Sequence, residues 1–315
     1  MIDAQAIKNK VDCRDIVERD LGKPKTRAQT YSTYRCSFHR ERKGYSLVVY
    51  WMMRYHQLSF QQACECLSSG DLPQRTEPIF HDEHPLEPFA EPPNDAWQKI
   101  AHRIAGEVRD RLWSPEGKRA LNYLQTKRGL SEPIIQAAGL GFIPGRPFEW
   151  KIINDVKVPC GIAIPWYADG ALWGIKVRRA AGGQRYQQVS GGNLRRCLYL
   201  ADEVHVGSPI LLTEGEFDAL IAMQVGRDYL SPASIGSASN SRINRRWFGK
   251  LMSAPQILVC MDSDDAGLRA ASEIAMTSSA VRVIQVPLEK GLNAFSLHAG
   301  EIMVTTWLQS QLQRN

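Results

Sequence analysis

Carboxylates stand where apolar runs stop, and this constrains the chain more than any other feature. Ile210-Leu211-Leu212-Thr213 leads into Glu214-Gly215 and then into a helix-compatible stretch, Phe217 to Met223. Ile257-Leu258-Val259-Cys260-Met261 leads into Asp262-Ser263-Asp264-Asp265-Ala266-Gly267 and then Leu268-Arg269-Ala270-Ala271. A third apolar run, Val281 to Val286, follows at similar spacing. Strand, acidic turn and helix in repetition predict a parallel α/β sheet with flanking helices. Ligands of such sheets bind beyond the carboxyl ends of the strands. Glu214, Asp262 and Asp264 would gather there with no His or Cys among them. That donor set suits a hard divalent cation, Mg²⁺ or Mn²⁺, and the expected chemistry is on phosphate. Asp218 follows Glu214 by four residues, one helical turn, and can share the site. The alternative for all four acids is loop solubility or charge at helix N-termini.

The 315 residues suffice for two or three compact units. The net charge of +6 is a mild bias toward anionic partners. No apolar stretch is long enough to span a bilayer, and Met1-Ile2-Asp3-Ala4-Gln5 lacks a signal-peptide pattern. A cytoplasmic protein without a membrane partner is expected. Seven scattered cysteines, an odd number, argue against a disulfide framework, and Cys260 reads as core.

Residues 1–70 read as one small module. Residues 71–95 carry Pro73, Pro78, Pro85, Pro88, Pro92 and Pro93 among acids and read as an extended linker. Residues 96–204 form a mixed α+β subdomain in this reading. It has helices over Ala96 to Leu112 and Pro115 to Thr126 and a third from Ser131. A hairpin follows from Ile162-Ala163-Ile164-Pro165-Trp166 to Leu172 through Arg178, and a strand over Tyr186 to Val189. The acid-bearing α/β segment spans 205–300, and 301–315 is a C-terminal helix or tail. No G-x-x-x-x-G-K-[ST] run occurs.

Alternation puts Lys176 and Arg178 on one strand face, with Arg179, Arg185, Tyr186, Arg195 and Arg196 following. Such a stripe can track single-stranded nucleic acid by phosphate pairing and base stacking, or it can be a solvated strand face. Arg242, Arg245, Arg246 and Lys250 read as an exposed helix face. Gly236-Ser237 is either a phosphate-binding turn or an ordinary one.

In order along the chain these pieces resemble the bacterial, phage and plasmid DNA primase family, whose catalytic core contains a TOPRIM domain. Cys36-x-x-His39 within Tyr31 to Leu67 resembles a primase-type zinc ribbon. Tyr123-Leu124-Gln125-Thr126-Lys127-Arg128-Gly129-Leu130-Ser131 and Gly139-Leu140-Gly141-Phe142 resemble the start of the polymerase core. Gly161-Ile162-Ala163-Ile164-Pro165 resembles the central hairpin, and Gln184-Arg185-Tyr186 stands where the family has a Lys-Tyr facing nucleic acid or nucleotide. Glu214-Gly215-Glu216-Phe217-Asp218 and Asp262-x-Asp264-x-Ala266-Gly267 resemble the two TOPRIM signatures.

The resemblance implies metal-dependent synthesis of short RNA primers on a single-stranded DNA template from ribonucleoside triphosphates. Glu214, Asp262 and Asp264 would be metal ligands, Glu214 alternatively a general base. Lys176, Arg178, Arg185, Tyr186 and Asp218 would face nucleotide or template. The chain also departs from the pattern. Cys36 and His39 supply only half of a four-ligand zinc site, so zinc is not expected, and a metal-free, degenerate ribbon is. The third acidic motif, K-D-x-[DN]-[DE]-like in the family, reads Lys290-Gly291-Leu292-Asn293-Ala294 here, with Gly291 and Ala294 where carboxylates are expected. Glu289 is near but shifted. The helical part of the polymerase core and any helicase-binding tail would be missing or supplied by another chain, with a replicative helicase as a partner in a separate chain. A catalytically degraded primase-like protein that binds DNA or a replication partner is the alternative function. A TOPRIM nuclease or topoisomerase ranks below both.

Overall fold

The computed structural model describes residues 89–313 apart from 183, 279 and 288, together with 16–19, 26–27, 32–33, 52, 56, 58 and 60–71. The chain divides into two compact units, Met1–Leu86 and Glu87–Asn315. In the first, strands β1 (Thr26–Arg27) and β2 (Ser32–Thr33) pair antiparallel. Helix α1 (Phe60–Ser69) buries Ala63 and Leu67, one turn apart. Cys36 and His39 lie outside the described residues.

The second unit begins with α2 (Asp95–Leu112). Asn94 caps it by accepting the Trp97 N–H, which starts the helix one residue before the apolar pattern does. Its buried positions, Trp97, Ala101, Ile104, Ala105, Val108 and Leu112, fall on one helical face. The helix expected from Pro115 is a short 3₁₀ turn over Pro115–Gly117 and then α3 (Lys118–Arg128), closed by Gly129 in the left-handed region. Helix α4 (Glu132–Ala137) follows.

Strands β3 (Gly141–Ile143), β6 (Gly161–Ala168), β7 (Ala171–Arg178) and β8 (Tyr186–Gln188) form one antiparallel sheet in the order β3-β6-β7-β8. Asp169 and Gly170, both at positive φ, make the tight β6–β7 turn. Between β3 and β6 the chain inserts a separate hairpin, β4 (Trp150–Ile153) with β5 (Val156–Pro159). One face of the antiparallel sheet packs on α2 through Ile104, Val108, Ala163, Ile175 and Val177. The other joins a larger core containing Trp166, Trp173, Tyr199 and Trp247.

That core continues into a parallel sheet of order β10-β9-β11-β12. Its strands are β9 (Ile210–Thr213), β10 (Ser231–Ser234), β11 (Ile257–Cys260) and β12 (Val281–Val283), all parallel. Every residue of β9, β10 and β11 is buried, as in a sheet covered on both faces. Helices α5 (Glu216–Gly226), α6 (Phe248–Met252), α7 (Asp265–Ala275), α8 (Leu292–Ala299) and α9 (Glu301–Gln313) complete the unit. No described helix is long and apolar enough to cross a membrane.

Two sequence readings are corrected, and the one left open at Gly236 takes its ordinary-turn form. Arg246 and Lys250 are not an exposed helix face: both hold Asp169 of the β6–β7 turn, at 2.9 and 3.3 Å, and Lys250 also reaches Asp202 at 3.2 Å. Arg179, read as following a solvated or nucleic-acid-facing strand, is only 7% exposed and lies over the Trp150 ring. Gly236 is a packed turn: a Cβ there would stand 2.3 Å from Trp166 Cη2, and its N–H is taken by the Ser234 hydroxyl.

Candidate metal and nucleotide site

The parallel register pairs Cys260 with Thr213, so β9 and β11 end side by side. Glu214 is the first residue beyond β9 and Asp262 the second beyond β11. The Asp262 N–H donates to Glu214 Oε2 at 3.3 Å. Burial raises the Glu214 carboxyl above its ordinary range, and the charge of Asp262 adds to this. Gly267, in the first turn of α7, lies against both residues: a Cβ there would be 2.1 Å from Asp262 O and 2.9 Å from Glu214 Oε2. The glycine of the Asp-x-Asp-x-Ala-Gly run is thus required by close backbone approach.

Asp264 caps α7. Its Oδ1 accepts the Gly267 N–H at 3.0 Å. That bond, with the Lys290 ammonium beside Oδ2, holds its carboxyl below the usual range. Lys290 Nζ lies 2.9 Å from Asp264 Oδ2 and 3.1 Å from Asp262 Oδ2. Those two carboxylates raise the pKa of the ammonium.

Asp218 enters from α5. Its Oδ1 accepts the Asn293 N–H at 2.7 Å. Burial pushes its carboxyl up to about 6, against the Asn293 hydrogen bond and with the charge of Asp262 adding to the rise. Gly291 is in extended backbone and stands between the acids: a Cβ there would lie 2.9 Å from Asp262 Oδ1 and 3.1 Å from Asp218 Oδ1. Glu289 does not turn toward them; its Oε1 pairs with His298 Nδ1 at 3.1 Å.

Lys176, Arg178 and Tyr186 come together on β7 and β8, where Arg178 pairs in register with Tyr186. They do not form a solvated stripe. The Lys176 ammonium is 2.7 Å from Glu216 Oε1 and donates to Gly236 O at 2.6 Å. It also lies over the Tyr186 ring at 4.8 Å. Arg178 is 9% exposed and lies over the Tyr123 ring at 4.8 Å. Burial, with the charge of Glu216, pushes the Tyr186 hydroxyl up to about 12. Arg185 is exposed.

Four residues that sequence reasoning gave no role take part here. Lys290 bridges the acid pair, and Glu216 is the buried partner of Lys176. Arg128 donates to Tyr123 Oη and to Asn293 Oδ1, both at 2.9 Å, and lies over the Phe217 ring. Asn293 answers with a bond to Arg128 O. Arg128 and Glu216 sit inside motifs the sequence displays, but nothing in the order of residues says which groups they meet.

Residues 211–296 match the family model described as Toprim-like. This segment is Toprim-like. Its strands β9, β10, β11 and β12 and its acids are those described above. No curated relative matches the sequence. Among solved structures, the DnaG catalytic core is 17% identical with a TM-score of 0.53, covering 68% of this chain and 79% of that one. A DNA primase domain from Pseudomonas aeruginosa is 20% identical with a TM-score of 0.54, covering 69% and 78%. The Aquifex aeolicus primase, with its zinc-binding and RNA polymerase domains, is 15% identical with a TM-score of 0.53, covering 97% and 84%. The chain therefore has the mixed α/β fold of DnaG-type primase catalytic cores, with the Toprim-like segment as its parallel sheet.

The fold implies a divalent ion beside these acids. The donors are hard carboxylate oxygens, and the Lys290 ammonium between Asp262 and Asp264 acts as a stand-in cation, so a cation fits there. Among the described residues, however, no three His, Cys, Asp or Glu side chains are gathered as a metal-holding group.

Proposed function

We propose that this chain is a primase-like nucleotidyltransferase that makes short RNA primers on single-stranded DNA from ribonucleoside triphosphates. The observation that carries the reading is the acid cluster with its bridging cation, set at the carboxyl ends of β9 and β11 in a DnaG-type fold. A DnaG primase catalytic domain of similar fold has been solved bound to single-stranded DNA.

Glu214, Asp262 and Asp264 are the residues that would hold Mg²⁺ or Mn²⁺. When bound, such an ion neutralises phosphate oxygens and lowers the pKa of an attacking ribose hydroxyl. Glu214, its carboxyl raised by burial, is suited to accept that proton. Arg185, exposed beside Tyr186, is placed to pair with a phosphate, while the Tyr186 ring offers a face for a base. Arg178 hydrogen-bonds the Tyr186 side chain, and Asp218 with Asn293 fixes α8 beside the acids. In this reading 96–204 is the N-terminal subdomain of a primase core, 205–300 its TOPRIM domain, and a replicative helicase acts from a separate chain.

Primer synthesis on single-stranded DNA with Mg²⁺ or Mn²⁺ tests the proposal. Oligoribonucleotides are expected from the wild type, and none from Glu214→Gln or Asp262→Asn. No product from the wild type on varied templates refutes the enzyme. A second reading, a degraded primase-like DNA-binding protein, is favoured by one observation: Glu289 is turned to His298, leaving 291 and 294 without carboxylates. It predicts DNA binding that persists in Asp262→Asn with no incorporation by the unaltered chain.

A further inference from the structure

We infer that the inserted β4–β5 hairpin is a second contact for single-stranded nucleic acid, on which Phe148 and Trp150 stack bases and Lys157 pairs with phosphate. The site presupposes the single-strand binding proposed above and none of its metal chemistry.

The hairpin turns part of its apolar side out of the core. Inward, Val156 and Val158 are buried and Ile153 packs beside them. Outward, Trp150 and Ile152 alternate along β4, with Lys157 facing Ile152 across the pair. Phe148 continues the alternation ahead of the strand. Phe148, Trp150 and Ile152 are 65%, 42% and 72% exposed. Large apolar side chains gathered on a surface in this way mark a contact.

Both rings are held from behind. The Arg179 guanidinium lies 4.9 Å from the centre of the Trp150 ring. Phe148 is seated on the β7–β8 loop: a Cβ at Gly182, where φ is 108°, would stand 2.4 Å from its Cε1. Rings ordered in advance lose little freedom on binding, which suits them to stacking on bases.

Charge selects the occupant. Arg179 Nε and Nη2 are enclosed without a hydrogen-bond partner, and no described acid pairs with Arg179 or Lys157. The neighbouring carboxylate, Glu149, accepts the Arg146 N–H at 2.9 Å. From Lys176 to Gln188 the chain carries Lys176, Arg178, Arg179 and Arg185 and no acid. An apolar protein laid on this face would cover those cations without matching them, whereas a single strand brings a phosphate with every base. The Arg179 N–H donates to Arg185 O at 2.7 Å, so the hairpin adjoins the Arg185–Tyr186 end of the sheet. It is nonetheless a separate contact. Arg178 lies over Tyr123 and Arg179 over Trp150, so consecutive side chains serve different faces.

Anisotropy of a fluorescein-labelled oligothymidylate, titrated with the full chain in EDTA, reads this contact without turnover. Trp150→Ala is expected to weaken binding about 5-fold or more, and Trp150→Phe, which keeps a ring, by less. Lys157→Gln is expected to lower the slope of log K against log salt by about 0.7. Both positions are exposed, so the melting temperatures should stay near that of the wild type. Unchanged affinity in Trp150→Ala, or an unchanged slope in Lys157→Gln, overturns the inference and leaves the proposed function standing. A wild type that sediments as a dimer, with Trp150→Ala a monomer, also overturns it, because the face then joins two copies. No binding by the wild type overturns it together with the DNA template of the proposed function.

Discussion

Lys176→Met separates a structural from a ligand-binding role for a residue that the sequence presents as basic and strand-borne. Its ammonium meets Glu216 Oε1 at 2.7 Å, with the two side chains 15% and 2% exposed. Among the described residues that oxygen has no other hydrogen-bond donor. The remaining contacts of the ammonium are Gly236 O and the faces of Tyr186 and Trp166. Methionine keeps most of the stem packing on those rings and deletes only the charge. Glu216 is then a buried carboxylate without a counterion. Removing one partner of a buried pair costs about 3–5 kcal/mol, mainly the desolvation of the charge left behind.

Denaturant unfolding of the full chain should show that loss, and thermal unfolding a melting-temperature drop of roughly 6–20 °C at 2–4 °C per kcal/mol. The double variant Lys176→Met/Glu216→Gln should recover most of it, because the buried group is then neutral. A Lys176→Met chain that loses less than about 1 kcal/mol refutes the reasoning. If the same chain also binds single-stranded DNA more weakly, Lys176 acts as a template contact instead.

Asp218 gives the chain a specific pH dependence. Its carboxyl titrates near 3.8 when unfolded and about 6 when folded, so between those values the folded chain holds more protons. Unfolding free energy should therefore fall as pH rises from about 4 to 6, by at most about 3 kcal/mol. Asp218→Asn should flatten that slope in urea titrations at several pH values; an unchanged slope refutes the assignment. Asp264, shifted the other way, loses its contribution only as pH falls below its ordinary range, outside that window. Gly236→Ala should cost several kcal/mol. It forces a left-handed φ of 74° on alanine, about 1–2 kcal/mol, and drives a Cβ to 2.3 Å from a fully buried tryptophan ring. A near-native melting temperature for this variant would contradict that packing.

What the sequence displayed depended on whether a signal is local. β9 and β11 are legible because strands buried on both faces read as continuous apolar runs. β10 is not. Ser231-Pro232-Ala233-Ser234 has no apolar run, and proline is tolerated there because β10 is the edge strand of its sheet and its outer side is bridged at Ser234, by Tyr199, not at Pro232. The acids announce themselves by chemistry and by position after a strand. Their partners do not. Lys290 reaches Asp262 through a loop that closes only once β12 is placed beside β11. Glu216 meets Lys176 forty residues upstream, across the junction of two sheets. Likewise the basic run at Arg245, Arg246 and Lys250 looks solvated until the β6–β7 turn brings Asp169 to it.

The departure at 291 then acquires a physical meaning that the missing charge alone did not have. Two carboxylate oxygens, Asp262 Oδ1 and Asp218 Oδ1, stand within about 3 Å of where a Cβ would be. A third acid at that position would force both to move and would raise the local repulsion further. Glycine lets them close in, and the Asn293 N–H anchors Asp218 there. Glycine at 291 and the close approach of Asp262 and Asp218 thus go together.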